Sequence, residues 1–173
     1  GFIILQIFGY IKIIDIQFPL LNILNYFILF IIVSLNEEIL MRGYILNNLM
    51  DSMNKYYALI LSSVLFSLMH IINTNLTIIG VVNLFLAGIL LGIYYIHKTN
   101  LWFPIGMHLT WNFFQGPVFG YAVSGFQTES ILTQEIQGNS IITGGAFGFE
   151  GSILATLLSI IMIILINNKT RSV

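Results

Sequence analysis

The chain has 173 residues and no cysteine, which excludes disulfides, a thiolate nucleophile and any cysteine-based metal site. Charge is nearly as scarce. Asp, Glu, Lys and Arg supply 8% of the residues, against roughly 25% in soluble domains. Six basic and seven acidic side chains leave a formal net charge of −1. The basic surface that a phosphate backbone selects is therefore missing, and no Gly-rich phosphate loop or RNA-type aromatic motif follows a strand-like segment. Nucleic acid is excluded as a partner. Proline occurs three times, and neither proline nor glycine interrupts the stretch between Pro19 and Gly43.

What remains is hydrophobic, 57% of the chain. Apolar runs of about 13 to 21 residues alternate with short polar breaks, and a helix needs ~20 mainly apolar residues to cross a ~30 Å hydrocarbon core. The sequence predicts an all-α, polytopic membrane helix bundle of about five or six transmembrane helices. Such a chain is a multi-pass protein of the cell membrane, with the lipid bilayer as its first partner.

Residues 2–14 form an apolar run too short for a full span, and read as half of a truncated one. The chain starts at Gly1 without the basic start and small-residue cleavage site of a signal peptide. These features predict one domain over residues 1–173, a fragment that lacks upstream helices. From Leu20 a helix-compatible stretch reaches Met50. Further spans follow at residues 56–72, 76–96 and, shorter and more polar, 101–115. A loop rich in Gly, Ser, Thr and Gln covers residues 116–151, and a last helix covers residues 152–166. If the last four spans alternate, Lys55, Lys98, Lys169 and Arg171 share one side and the loop carrying Glu129, Glu135 and Glu150 faces the other. The positive-inside rule then places the C-terminus in the cytoplasm. Lys12 does not fit this scheme, which suggests that the first segment is interfacial or incomplete.

Three stretches break the apolar pattern. The first is NEEILMRGY, residues 36–44. Each charged side chain at mid-membrane costs ~2.5–3.5 kcal/mol on insertion scales, so Glu37, Glu38 and Arg42 need partners. Glu38 and Arg42 stand four apart with the acid first, the better orientation for a helical ion pair. Glu37 is rotated ~100° from Glu38 and ~140° from Arg42, and so has no local partner. The second stretch, FSLMH, sets Phe66 and His70 on one helix face, and the third, HLTWN, does the same with His108 and Asn112. Polar groups on three membrane helices turn away from lipid and meet in a common interior. A carboxylate and a neutral imidazole can jointly take a proton from water, while a second His with an Asn amide can donate hydrogen bonds to a developing oxyanion. Each group also has a purely structural use. Glu38 and Arg42 can hold their helix in the bundle, His70 can cap a helix end beside Asn73, His108 and Asn112 can bond between helices, and Phe66 can simply pack.

The ordered set EEILMR, FSLMH and HLTWN resembles the CPBP (ABI) family of intramembrane glutamic proteases. That family includes the type II CAAX prenyl endopeptidases and bacteriocin-processing or self-immunity proteins. No defining position departs from its pattern, and the likeness covers residues 25–166. TGGAFGFEGS, residues 143–152, is similar to a segment before the last helix of bacterial members. The resemblance implies a metal-independent peptidase in which Glu37 is the general base with His70, and His108 and Asn112 form the oxyanion hole. It makes Glu38 and Arg42 structural supports and packs Phe66 beside the site. The implied substrate is a peptide or membrane-protein segment, and no cofactor is required.

Three other readings use the same residues. Zinc accepts Glu37, His70 and His108 as ligands, although the usual signature of two His four apart on one helix is absent. A non-catalytic membrane adaptor or bacteriocin self-immunity protein would bind a peptide partner in the same cavity. A proton or ion pathway also uses intramembrane Glu and His, but no pair of broken-helix repeats supports transport.

Overall fold

A computed structural model of the chain describes residues 1–171. It is a helix bundle with a small two-stranded sheet at one end. In chain order the elements are α1 (Phe2–Ile7), β1 (Ile11–Ile16), α2 (Leu20–Glu38), α3 (Asn47–Ser52), α4 (Lys55–Met69), α5 (Ile78–Lys98), α6 (Trp102–Phe113), β2 (Leu132–Ile136), α7 (Ser140–Thr143) and α8 (Ile153–Arg171). Between α2 and α3 the helix does not stop. Ile39–Leu46 continues it as a π-helix, so that Leu20–Ser52 is one apolar rod of 33 residues. A second π segment, Phe114–Val118, extends α6 and contains Pro117.

Length and composition allow three of these helices to cross a membrane: the Leu20–Ser52 rod, α5 with 21 residues and α8 with 19. The apolar α4 is shorter, with 15 residues, as is α6 with 12. Outward faces stay apolar, with Leu21, Ile28, Ile32, Tyr57 and Leu165 exposed. Side chains of this kind face lipid at no cost but would form an aggregation-prone patch in water. Inside, α5 is the central element, packed on α4 and α8.

Small residues let α4 and α5 approach closely. A Cβ built on Gly88 would lie 2.8 Å from Ser63 Cα, and one on Gly92 would lie 2.5 Å from Leu59 Cδ1. These glycines are the two ends of GILLG, a small-xxx-small pattern that suits close packing of membrane helices. Local capping fixes where the helices begin. The Asn54 side chain accepts from Tyr56 N at 2.9 Å, Thr77 Oγ1 from Gly80 N at 3.0 Å and Ser152 Oγ from Ala155 N at 3.0 Å, each satisfying an amide that a helix start leaves unpaired.

The N-terminal segment departs from the sequence expectation. Residues 2–14 do not form half of a span: α1 ends after six residues, Gly9 takes φ +72°, and β1 pairs antiparallel with β2 from the long loop. Lys12 lies across the ladder from Glu135, away from the cationic end of the bundle. At that other end Lys55 Nζ lies 3.2 Å from His97 Nδ1, His97 Nε2 lies 3.1 Å from Asn167, and Arg171 sits over the Tyr56 ring.

Candidate active site

Glu37 and Glu38 lie on the last turn of α2, just before the backbone widens into its π segment. Their surroundings differ sharply. Glu38 is fully buried and Arg42 nearly so, and Arg42 Nη1 donates to Glu38 Oε1 at 2.8 Å. The other guanidinium nitrogen, Nη2, donates to the Gly88 carbonyl at 3.0 Å. Gly88 thus serves twice, letting α4 approach and presenting an acceptor to a buried cation. The Phe66 ring completes this environment, with its centroid 4.7 Å from Arg42 Cζ, a distance at which the ring face attracts a cation.

The same Glu38 oxygen has a second partner. His108 Nδ1 lies 2.9 Å from Glu38 Oε1, so Glu38 joins α2 to α6 as well as neutralising Arg42. His70, at the end of α4, has its Nδ1 2.8 Å from the Phe66 carbonyl. A carbonyl and a carboxylate paired with arginine only accept, so both Nδ1 atoms carry the proton in these bonds. In the neutral imidazoles each Nε2 then holds a free electron pair.

Both Nε2 atoms face Glu37. Its Oε2 lies 3.9 Å from His70 Nε2 and 3.9 Å from His108 Nε2. These separations are too long for direct hydrogen bonds. A single water about 2.8 Å from two atoms 3.9 Å apart fits comfortably between them, an arrangement usual for polar groups at this separation. Glu37 Oε2 is buried and has no hydrogen-bond partner, although the Glu37 side chain as a whole is 24% exposed. Phe66 lies beside both imidazoles, 4.8 Å from the His70 ring and 6.3 Å from the His108 ring.

These groups open onto a cavity of about 940 Å³. Glu37, Phe66, His70, His108 and Asn112 all line it, with an apolar wall from α2 that includes Leu29 and Val33. Asn112 is buried one turn beyond His108. All seven residues singled out in the sequence therefore fall in one neighbourhood, with Glu38 and Arg42 behind the cavity wall.

As placed, the donor atoms of Glu37, His70 and His108 stand about half an ångström wider than a bound tetrahedral zinc would hold them. Zinc bonded at ~2.0–2.1 Å to two ligands sets their donor atoms roughly 3.4 Å apart, and both Nε2 atoms are 3.9 Å from Oε2. Among the described residues no group of three or more His, Asp or Glu is arranged to hold a metal ion.

Two participants escaped the sequence reading. Gly88, which holds Arg42, was signalled by GILLG. Glu150 read as one more charge of the long loop, but it lines the cavity with its carboxylate bonded to Trp111 and Ser124, while Ser152 caps α8.

A family model described as Type II CAAX prenyl endopeptidase Rce1-like matches residues 19–114, a window that holds all three motifs. No curated protein and no solved structure matches the chain.

Proposed function

The chain belongs to the Rce1-like type II CAAX prenyl endopeptidase family, a family of membrane proteases, and from that premise we propose that it hydrolyses a peptide bond with water activated by Glu37 and His70. The observation that carries this reading is the unpartnered Glu37 oxygen, equidistant from two imidazole Nε2 atoms at 3.9 Å. A water held between Glu37 Oε2 and His70 Nε2 has both protons directed at acceptors and a lone pair left for a carbonyl carbon. As it attacks, Glu37 takes one proton and later delivers it to the leaving amine, a transfer worth ~10²–10⁴-fold in rate.

The oxyanion that forms needs donors, and His108 with the Asn112 amide supplies them. Because Nδ1 of His108 already donates to Glu38, donation from Nε2 requires a second ring proton taken up as the substrate binds; with Glu38 matched to Arg42, that charge is offset by the Glu37 carboxylate and then by the oxyanion itself. Arg42 and Phe66 hold Glu38 and the two rings in place. The substrate is a peptide or a membrane-protein segment seated in the largely apolar cavity. The C-terminus faces the cytoplasm, consistent with the gathering of Lys55, His97 and Arg171 at one end of the bundle. Water activation proceeds without metal.

The test is cleavage of quenched-fluorescent peptides, prenylated and unprenylated, by the purified protein in liposomes. Glu37→Ala and His70→Ala should each abolish cleavage while leaving membrane insertion unchanged. Full cleavage by either variant would sink the mechanism. A wild-type protein that binds the peptides but never cuts them would favour the non-catalytic adaptor or self-immunity reading.

A further inference from the structure

Glu150 lies outside the window that the family model matches, yet it lines the same cavity as Glu37. It accepts three hydrogen bonds. Trp111 Nε1 donates to Oε1 at 3.0 Å, and Ser124 donates to Oε2 twice, from its backbone N at 2.9 Å and from Oγ at 2.6 Å. The Glu150 carbonyl also accepts from Asn83 Nδ2 on α5 at 2.6 Å. One residue therefore joins α5, α6 and the long loop.

The loop segment it grips is a two-residue hairpin. Val123 and Phe126 exchange both backbone hydrogen bonds, each 2.9 Å, around Ser124 at φ +49° and Gly125 at φ +86°. Positive φ at both central positions is the type I′ turn that matches strand twist, and the second of them is a place for glycine. The hairpin's other side is tied to the turn after His70. Asn73 Nδ2 donates to the Ser124 carbonyl at 3.0 Å, and Thr74 Oγ1 donates to the Gly125 carbonyl at 3.0 Å. All four hairpin residues line the cavity. The hairpin thus bridges the wall that carries His70 and the wall that carries His108 and Asn112, where Trp111 is the immediate neighbour of Asn112.

We propose that Glu150 is a positioning residue of the peptidase, clipping the hairpin at residues 123–126 across the cavity and so fixing how the substrate segment is seated against Glu37. The seating role rests on the proteolytic reading; the clip does not. Glutamine cannot replace this carboxylate. Its single carbonyl can satisfy Trp111 or Ser124 but not both sets, and its NH₂ then meets an N–H donor.

The test exploits the absence of cysteine. Val123 is buried in the hairpin, and Val123→Cys provides one thiol whose modification by a water-soluble maleimide reports release of the strap. Adding Glu150→Gln should speed labelling at least roughly tenfold, the equivalent of one lost hydrogen bond to a charged group. Ser124→Ala, which removes the Oγ bond alone, should give a smaller rise and guards against a misfolded Glu150 variant. In peptide cleavage, Glu150→Gln should raise KM about tenfold while kcat stays within about threefold, the pattern of lost substrate seating. Unchanged labelling in both variants would overturn the clip. A fall in kcat at constant KM would overturn the positioning role. If the wild type cleaves nothing, the proteolytic reading fails and the labelling rates still decide the clip.

Discussion

Glu37→Gln and Glu38→Gln make the same chemical change at neighbouring residues, and the structure assigns them opposite consequences. Glu38 is fully buried, and its Oε1 serves both Arg42 and His108. Neutralising it leaves a buried guanidinium without its counter-charge, and removing one partner of such a pair costs about 3–5 kcal/mol. For chains of this size each kcal/mol moves Tm by ~2–4 °C, so the Glu38→Gln melting point should fall by roughly 6–20 °C. Glu37 makes no ion pair with arginine and has an unpartnered buried oxygen, although it still interacts electrostatically with Arg42 at longer range. Its replacement removes a charge that is only weakly compensated, so stability should change by less than about 1 kcal/mol and with either sign. Activity should behave the other way round, with Glu37→Gln losing the ~10²–10⁴-fold contribution of a general base. Detergent-solubilised protein can be melted while the fluorescence of Trp111, next to the site, is followed, and peptide cleavage measured on the same samples. A Glu37 variant destabilised as much as the Glu38 variant would refute this partition of roles, as would a Glu38 variant of native stability.

Asn112→Ala should lower kcat by ~10²–10³-fold, the usual effect of one oxyanion donor; a loss below about threefold in steady-state cleavage would remove Asn112 from the oxyanion hole. Gly88→Ala pushes a Cβ against Ser63 backbone at 2.8 Å and draws the Gly88 carbonyl from Arg42. It should cost about 1–3 kcal/mol in the same melting assay, and a neutral result would mean that α4 and α5 separate freely. Exhaustive chelation followed by cleavage assay should leave activity intact, whereas loss restored by zinc alone would overturn the metal-free mechanism and bring back zinc, with Glu37, His70 and His108 as its candidate ligands.

The helices were legible because apolar runs bounded by polar turns have few other solutions, and α4, α5, α6 and α8 lie close to the runs that announced them. The first segment was not, since a short apolar run fits a strand as well as a helix and β1's partner lies more than 100 residues away. Nothing in ILMRGYIL marks a π-helix. The three motifs and the Glu38 and Arg42 pairing were readable from spacing, whereas the bond from Glu38 to His108 spans 70 positions and depends on how α2 meets α6. The place of Glu150 was not readable because nothing local in a Gly-rich loop tells which distant groups it meets, here Trp111 and Ser124.

The anchoring of both imidazoles through Nδ1 has a consequence for inhibitor chemistry. In the resting site, with both rings neutral, three neighbouring atoms, Glu37 Oε2 and the two Nε2 positions, present lone pairs and no hydrogen toward one another. A carboxylate or phosphonate, a usual head for metal-dependent peptidases, brings more lone pairs and meets an imidazole donor there only once His108 has taken up a second proton. An amine, amidine or hydroxyl head supplies the missing hydrogens, so the selectivity of small molecules for this centre is set by what they donate.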